Sequence, residues 1–415
     1  MAIEEKMKSL FIGIYDRNTI SLAPFLLSQY LGGEFLQFSI FDDTVEDMLK
    51  LINERKPDYV CFSSYIWNAN IIKKLLPKIE YGFKVVGGPH ALDNDFLDRG
   101  ADAVVIGEGE EVLKEIFENR LTGTHQGRLT DLSQLPLLYD KVNNIDDYEW
   151  LPVETSRGCP MKCGYCAWSS QEQQKMRFYD LDHIFKELDI VLSSKIKWVY
   201  LCDSSLLFNK ERGRQILKFC SKYKKSIRFE FAIGQLDADI IEALLEMPES
   251  EYNFGVQTIN PPALKAISRG FSKQIFEREY NALAGNHNVT VDAIYGLPED
   301  NIDGYKRTLD YMASLPNIKR ILTNPLILLP GSPYWHQKEK WGFVYDPETF
   351  LLIRSNHWSE KDMQEARDYS FKIVKGKEVQ NAPDLIPTTN DGFAKRNEFL
   401  KANKIPGRFA WEGTN

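Results

Sequence analysis

The chain is 415 residues long, more than one ordinary domain of ~100–200 residues holds, and its 43% hydrophobic and 27% charged residues exclude a chain disordered throughout. A formal net charge of −8 argues against a protein that grips nucleic acid by its phosphates. No apolar run approaches the ~20 residues that cross a bilayer, and MAIEEKMKSLFIGIYD lacks the long apolar core and cleavage site of a signal peptide, so the expectation is a cytoplasmic protein with neither nucleic acid nor membrane as partner.

From residue 8 to about 120, short apolar runs alternate with amphipathic stretches. SLFIGI, EFLQFSIF, DYVCFSS, KVVGG and DAVVIG read as buried parallel strands, and APFLLSQYL, VEDMLKLINER and NIIKKLLPKI carry helical spacing between them. This predicts an α/β unit over 1–125 with a doubly wound, Rossmann-like parallel sheet. Ligands of such sheets sit beyond the carboxyl ends of the strands, which points to Tyr15–Ser21, Ser63–Asn68, Gly87–Ala91 and Gly107–Glu110. Two of these segments are rich in glycine, which lets backbone approach a ligand; tight turns alone are the alternative.

Periodicity then fades through Pro136 to NNIDDYEW, a linker over 126–150. A second alternating region, 151–335, has strands at LPVET, WVYL, IRFEFA, YNFGVQ, VTVDAIYG and ILTNPLILL, each separated by room for a helix. Six strand–helix units predict a partial (β/α)6 barrel of the TIM type, whose chemistry belongs at the C-terminal strand ends. Residues 336–415 form a C-terminal extension expected to be mostly helical, with HWSEKDMQEARDYSFK an amphipathic helix capped at Ser359. Its Trp335, Trp341 and Trp358 are candidates for either an apolar substrate surface or core packing, with packing the better default.

Six cysteines in a reducing compartment do not suggest a disulfide framework. Cys61, Cys202 and Cys220 are scattered and read as small core residues. Cys159, Cys163 and Cys166 instead fall in ETSRGCPMKCGYCAW, a CxxxCxxC pattern on the first βα loop of the barrel. Three thiolates on one loop suit three irons of a 4Fe–4S cluster and leave the fourth open to a substrate, in principle the amino and carboxylate groups of S-adenosylmethionine (SAM). A zinc site would need a fourth ligand, and the nearest histidine, His183, lies in a predicted helix.

The triplet, with Tyr165 before its last cysteine, resembles the signature of the radical SAM superfamily. The resemblance continues along the barrel through LCDSSLLFNKERG, RFEFAIGQLD, YNFGVQTINPPALKAISRG, VDAIYGLPEDNIDGY and LLPGSPYW. It implies that Tyr165, Ala167, Asp203, Glu230, Gln257, Arg269, Gly296 and Leu297 lie around SAM. Asp203 and Asn209 are expected at the barrel mouth, with surface turns the alternative; for Arg269 the alternative is a solvated helix end.

The first region resembles the cobalamin-binding domain that precedes the barrel in one large subgroup, through FSSYIWN, VVGGPHA and VIGEGEEVL. That resemblance assigns Ser64, Tyr65, Trp67, Asn68, Gly87, Gly88, Pro89, His90, Gly107 and Glu108 to cobalamin. The loop after the first strand reads YDRNTISL, without the histidine that many corrinoid proteins use, so cobalamin is expected without a protein histidine on cobalt. Tyr65 or Trp67 is the candidate for packing near the metal's lower face; His90 reads as a turn residue.

The resemblance implies reductive cleavage of SAM to a 5′-deoxyadenosyl radical by a 4Fe–4S cluster, and cobalamin-dependent methylation of an unactivated carbon in a small molecule or peptide. Rearrangement or cyclisation without methyl transfer, or a domain that has lost cobalamin, are the alternatives, and a non-catalytic corrinoid or iron–sulfur carrier is a third. An electron donor such as a flavodoxin or ferredoxin is the implied protein partner.

Overall fold

The computed structural model describes residues 7–92, 95–169, 175–318, 320–347, 349–373 and 409–412. They fall into two units, Met1–Tyr148 and Glu149–Asn415, each taken separately below.

In the first unit, β1 (Ser9–Tyr15), α1 (Leu22–Leu31), β2 (Glu34–Ser39), α2 (Val45–Arg55), β3 (Tyr59–Ser63), α3 (Ala69–Leu75), β4 (Phe83–Gly87), β5 (Ala103–Ile106), α4 (Glu110–Asn119) and β6 (Gly123–Gln126) alternate. The strands are all parallel, in the order β2-β1-β3-β4-β5-β6. β1 and β3 are buried almost throughout because helices cover both faces. Phe11, Tyr59, Cys61, Val85 and Val105 meet Ile116 and Phe117 of α4 in one core. The strand order reverses between β1 and β3, the switch point where a crevice opens in such sheets.

Five of the six strands match the sequence expectation, and the sixth does not. β6 reads GTHQ, without one apolar side chain, and exists because its backbone extends the ladder of β5 from Ala103↔Gly123 to Ile106↔Gln126.

In the second unit, β7 (Trp150–Val153) leads through a short antiparallel pair, β8 (Ser156–Arg157) with β9 (Arg177–Phe178), to α5 (Leu181–Ser193). There follow β10 (Trp198–Leu201), α6 (Lys210–Cys220), β11 (Ser226–Phe231), α7 (Ala238–Leu245), β12 (Glu251–Gln257), α8 (Pro261–Ala266), α9 (Lys273–Leu283), β13 (Asn288–Tyr295), α10 (Ile302–Ala313) and β14 (Arg320–Pro325). β7, β10, β11, β12, β13 and β14 are neighbours in that order and all parallel, the partial (β/α)6 barrel expected. Alternation along β11 puts Ile227, Phe229 and Phe231 on one face and Arg228 and Glu230 on the other. Arg228 and Arg320 both reach Glu251, at 3.6 and 3.0 Å.

Beyond the barrel come α11 (Lys338–Trp341), the antiparallel pair β15 (Val344–Tyr345) and β16 (Leu352–Arg354), and α12 (Glu360–Ile373). Ser359 caps α12 as expected: its hydroxyl accepts from the Asp362 amide at 3.1 Å and the Asp362 carboxylate accepts from the Ser359 amide at 2.9 Å. β17 (Phe409–Glu412) adds an antiparallel seventh strand against β14. The rest of the extension lies outside the described residues.

Candidate active site

The cysteine loop is anchored at its base by Asp203, just beyond β10. Its buried carboxylate accepts from the Thr155 amide and hydroxyl at 3.0 and 2.8 Å and from the Ser156 amide and hydroxyl at 2.5 and 2.9 Å. Burial raises its pKa to about 6, against the downward pull of those Thr155 and Ser156 hydrogen bonds. Both oxygens are committed to the chain that leads into the loop, which makes Asp203 a clamp for that loop. Asn209 caps α6, its side chain accepting from the Arg212 amide at 3.1 Å, which satisfies an otherwise orphan N–H at the helix start.

The loop then runs from Gly158 to Cys166. Gly158 has φ +100, a conformation L side chains rarely adopt, and its carbonyl accepts from the Ser204 hydroxyl at 2.6 Å. Further along, the Gly164 amide donates to the Ile267 carbonyl at 3.2 Å, and its carbonyl accepts from the Tyr334 amide at 2.8 Å. A Cβ at Gly164 would run into the Tyr334 ring. Two separate segments, the end of α8 and the PGSPYW turn, therefore hold the loop.

Cys159 and Cys163 are buried and Cys166 is half-buried. Burial raises the Cys159 thiol and pushes Cys166 up to about 12, with the neighbouring cysteines adding to both. The thiols thus lie within electrostatic range of each other. Three thiols on one loop suit three irons of a multi-iron group.

Arg269 links the loop to β12. Its guanidinium donates to the Tyr165 hydroxyl at 3.0 Å and the Gly255 carbonyl at 2.7 Å, and reaches the Cys163 sulfur at 3.7 Å. Burial works to lower its pKa, but Tyr165 and Cys163 outweigh that and raise it. The solvated helix-end alternative for Arg269 does not hold.

Gln257 ends β12 where the register against β13 shifts, and adopts φ +69. A non-glycine residue there stores strain of ~1–3 kcal/mol. Its side chain is buried and its Oε1 has no hydrogen-bond partner among the described residues, a state that costs ~1–3 kcal/mol unless a ligand relieves it. Glu230, on β11, accepts from the Tyr200 hydroxyl at 3.4 Å. Ala167 opens a single 3-10 turn directly after Cys166. Gly296 has φ +91 at the end of β13, and both it and Leu297 are buried under the extension: a Cβ at Gly296 would lie 2.9 Å from Leu352. Trp358 is core, 1% exposed, as the packing default expects. Cys61 and Cys220 are also buried, whereas Cys202 is half-buried at the strand end beside Asp203.

Sequence reasoning missed Thr155, Ser156, Ser204 and Tyr334. Ser204 also faces the Cys159 thiol together with the Met161 amide. Tyr334 had a signal, since its PGSPYW turn stood out, but a turn pattern does not say which of its side chains folds back.

In the first unit the candidate residues gather at the carboxyl ends of β3, β4 and β5. Asn68 ties the switch point together: its side chain accepts from the Tyr65 amide at 2.8 Å and donates to the carbonyls of Ile14 and Ser63 at 3.2 and 3.1 Å. Ser64 donates its amide to the Gly87 carbonyl at 2.6 Å, while its buried hydroxyl has no partner. Gly88 has φ +95, and a Cβ there would meet the Ser64 carbonyl oxygen at 2.6 Å. Tyr65 and Trp67 stack at 4.5 Å, Tyr15 lies 5.6 Å from Trp67, and the Trp67 indole N–H has no acceptor among the described residues. His90 is buried next to exposed Pro89, and burial lowers its pKa to about 4, so it stays neutral near pH 7. Gly107 has φ +93, and Glu108 accepts from the Thr130 amide at 2.9 Å. Among the described residues Ser64 Oγ and Trp67 Nε1 are buried polar atoms without a partner at these strand ends, and a ligand there could supply one.

Comparison with known proteins agrees with both halves. Residues 153–312 match the family described as the radical SAM superfamily, and residues 18–117 match the B12 binding domain. An uncharacterised methyltransferase of Pyrococcus horikoshii is 24% identical over 315 residues, covering 66% of this chain and 68% of its own length. The 2-(S-pantetheinyl)-carbapenam-3-carboxylate methyltransferase of Streptantibioticus cattleyicolor is 24% identical over 389 residues, covering 79% of this chain and 56% of its own, so the chain spans little more than half of that relative. The solved structure of the radical SAM methyltransferase TsrM from Kitasatospora setae, with cobalamin and a 4Fe–4S cluster bound, superposes with TM-score 0.71 at 12% identity. That match covers 96% of this chain and 99% of TsrM, and it shows a shared fold.

Proposed function

The chain belongs to the radical SAM superfamily and carries a B12-binding domain, and from that premise we propose that it methylates an unactivated carbon of a small molecule or peptide. The observation that carries this is the presence in one chain of a barrel with three thiols on its first βα loop and a unit that matches the B12 binding domain. Methyltransferases acting on a carbapenam and, in Chlorobaculum tepidum, on bacteriochlorophyllide d are among the relatives, and they support methyl transfer without fixing the substrate.

When bound, the 4Fe–4S cluster supplies the electron that breaks a SAM carbon–sulfur bond, and cobalamin supplies a methyl carrier. The protein's part is to hold and to orient. Cys159, Cys163 and Cys166 would ligate three irons. Asp203, through Thr155 and Ser156, and Tyr334, through Gly164, fix the loop that bears them. Gln257 offers an unpartnered Oε1 to a hydroxyl or amine donor of SAM, and Glu230 a carboxylate to a cationic group. Gly296 and Leu297 would act at one remove, their turn being fixed under the extension by Leu352 and Trp358. In the first unit the loops after β3, β4 and β5, which carry Ser64, Gly88 and Gly107, would hold the corrin, with Tyr65 and Trp67 as the apolar face against it.

Anaerobic incubation of the reconstituted protein with SAM and reductant tests the layers. Formation of 5′-deoxyadenosine supports the radical step, and S-adenosylhomocysteine in addition supports methyl transfer. An absorbance spectrum unchanged by hydroxocobalamin would sink the cobalamin reading.

A further inference from the structure

We propose that Arg269 sets the reduction potential of the cluster by acting through Cys163, a positioning role separate from any contact with SAM. The inference rests on Cys163 being a cluster ligand.

The chain makes a deliberate approach to this point. After α8, Ser268 adopts φ +57, and the Arg269 amide closes the turn on the Leu264 carbonyl at 2.9 Å. The side chain that emerges is held at both ends of its fork. One nitrogen is fixed on the Gly255 carbonyl and the other on the Tyr165 hydroxyl, and the latter also faces the Cys163 sulfur. The Gly255 carbonyl carries no charge, burial keeps the Tyr165 phenol protonated, and among the described residues no carboxylate hydrogen-bonds to Arg269. A poorly solvated cation without a counter-charge is costly, so its position is best understood as made for an anion that arrives later. A thiolate bound to iron is that anion.

The other thiols have donors of a different kind. Cys159 faces the Met161 amide and the Ser204 hydroxyl, and Cys166 faces the Trp168 amide. Those donors are dipoles; the Arg269 charge acts on Cys159 and Cys166 too, but it is the Cys163 sulfur that its N–H reaches. Hydrogen bonds to sulfur and local charge both set cluster potentials. Reduction adds an electron to an already anionic centre, so a fixed cation favours the reduced state and raises the potential. A unit charge ~4 Å away is worth about fivefold in an equilibrium in bulk water and about a thousandfold at the effective dielectric of a protein surface; with the added electron spread over the whole cluster, about tenfold is the smallest change expected.

The test is a redox titration of the anaerobically reconstituted full chain, followed by electron paramagnetic resonance of the reduced cluster, first without SAM. Iron and sulfide counts on the wild type come first: if no 4Fe–4S cluster assembles, the reading beneath this inference fails, which is a separate result. With the cluster in place, Arg269→Gln is expected to lower the reduced-to-oxidised ratio at a fixed potential by at least about tenfold, or about 59 mV for one electron. Arg269→Lys keeps the charge without the fork and is expected to fall between. Tyr165→Phe removes one anchor, keeps the cation, and should shift the potential slightly in the same direction. Equal SAM-free potentials across the variants would overturn the inference. So would a difference that emerges only after SAM is added, because that is the behaviour of a SAM ligand. If Arg269→Gln does not retain a cluster, Arg269→Lys and Tyr165→Phe decide by the same comparison.

Discussion

Trp358 donates its indole N–H to the backbone carbonyl of Leu297 at 2.8 Å, joining the C-terminal extension to the Gly-Leu-Pro turn after β13. The ring is 1% exposed and lies edge-on to Tyr305 at 6.4 Å. Trp358→Ala is expected to cost ~3–5 kcal/mol of unfolding free energy, from the lost burial and the cavity left behind. Trp358→Phe keeps most of the apolar bulk and removes one of two donors to the Leu297 carbonyl, which still accepts from the Asp300 amide at 3.3 Å, for ~0.5–1.5 kcal/mol. Denaturant unfolding of the cluster-free protein measures both, and a cost below ~1 kcal/mol for the alanine variant would show that the extension is not part of the barrel's core.

Asp203 gives the second unit a pH dependence whose sign follows from its environment. Its pKa rises on folding from the ordinary 3.8 to about 6, because burial outweighs the donors from Thr155 and Ser156. The folded state therefore binds the proton more tightly. The contribution is fully present below pH ~3.8 and is lost as pH rises through ~6, a change of order 3 kcal/mol. Asp203→Asn removes this titration while preserving an oxygen for the two backbone amides. The wild type should therefore lose stability relative to Asp203→Asn between pH 4 and pH 7, read from unfolding curves at each pH. Asp203→Leu strands all four donors and should unfold the loop base at every pH.

Gly164 admits no side chain because the Tyr334 ring occupies the space where Cβ would stand. Gly164→Ala must displace either the ring or the cysteine loop, and Tyr334 is pinned by its amide on Gly164 and by its hydroxyl on the Ala266 carbonyl at 3.0 Å. The loop is expected to yield. Iron bound per chain after reconstitution should fall at least several-fold while far-ultraviolet circular dichroism stays unchanged; full iron loading would mean the loop tolerates the shift.

The strands that position the site were legible because burial on both faces writes them as continuous apolar runs, from SLFIGI in β1 to VTVDAIY in β13. β6 was not, since GTHQ owes its strand to a neighbour's backbone. The cysteine triplet was legible from spacing. The role of Asp203 was not, because its partners Thr155 and Ser156 lie 48 and 47 residues away, and no local pattern encodes such a pairing. The turn motif around Arg269 marked a site, but its link to Cys163, 106 residues away, came from packing alone. In the first unit the glycines of VVGG were visible as bends; that one of them leaves no room against Ser64 depended on how β3 and β4 register.

That glycine offers a test of the first unit by itself. At φ +95, Gly88 carries a conformation that costs an L residue ~1–3 kcal/mol, and its missing Cβ would stand 2.6 Å from the Ser64 carbonyl oxygen and 2.7 Å from the Ser64 nitrogen. Both neighbours are backbone, fixed by the Ser64 amide on Gly87 and the Ser64 carbonyl accepting from the His90 amide at 3.1 Å, so no side-chain rotation relieves the clash. Gly88→Ala should therefore push the β4 loop away from the β3 loop. If corrin binds against those loops, hydroxocobalamin affinity falls by tenfold or more in an absorbance titration. Iron loading of the second unit should stay at the wild-type level, since the cysteines belong to a separate compact unit. Unchanged cobalamin affinity would show that the β3 and β4 loops do not form the corrin's seat.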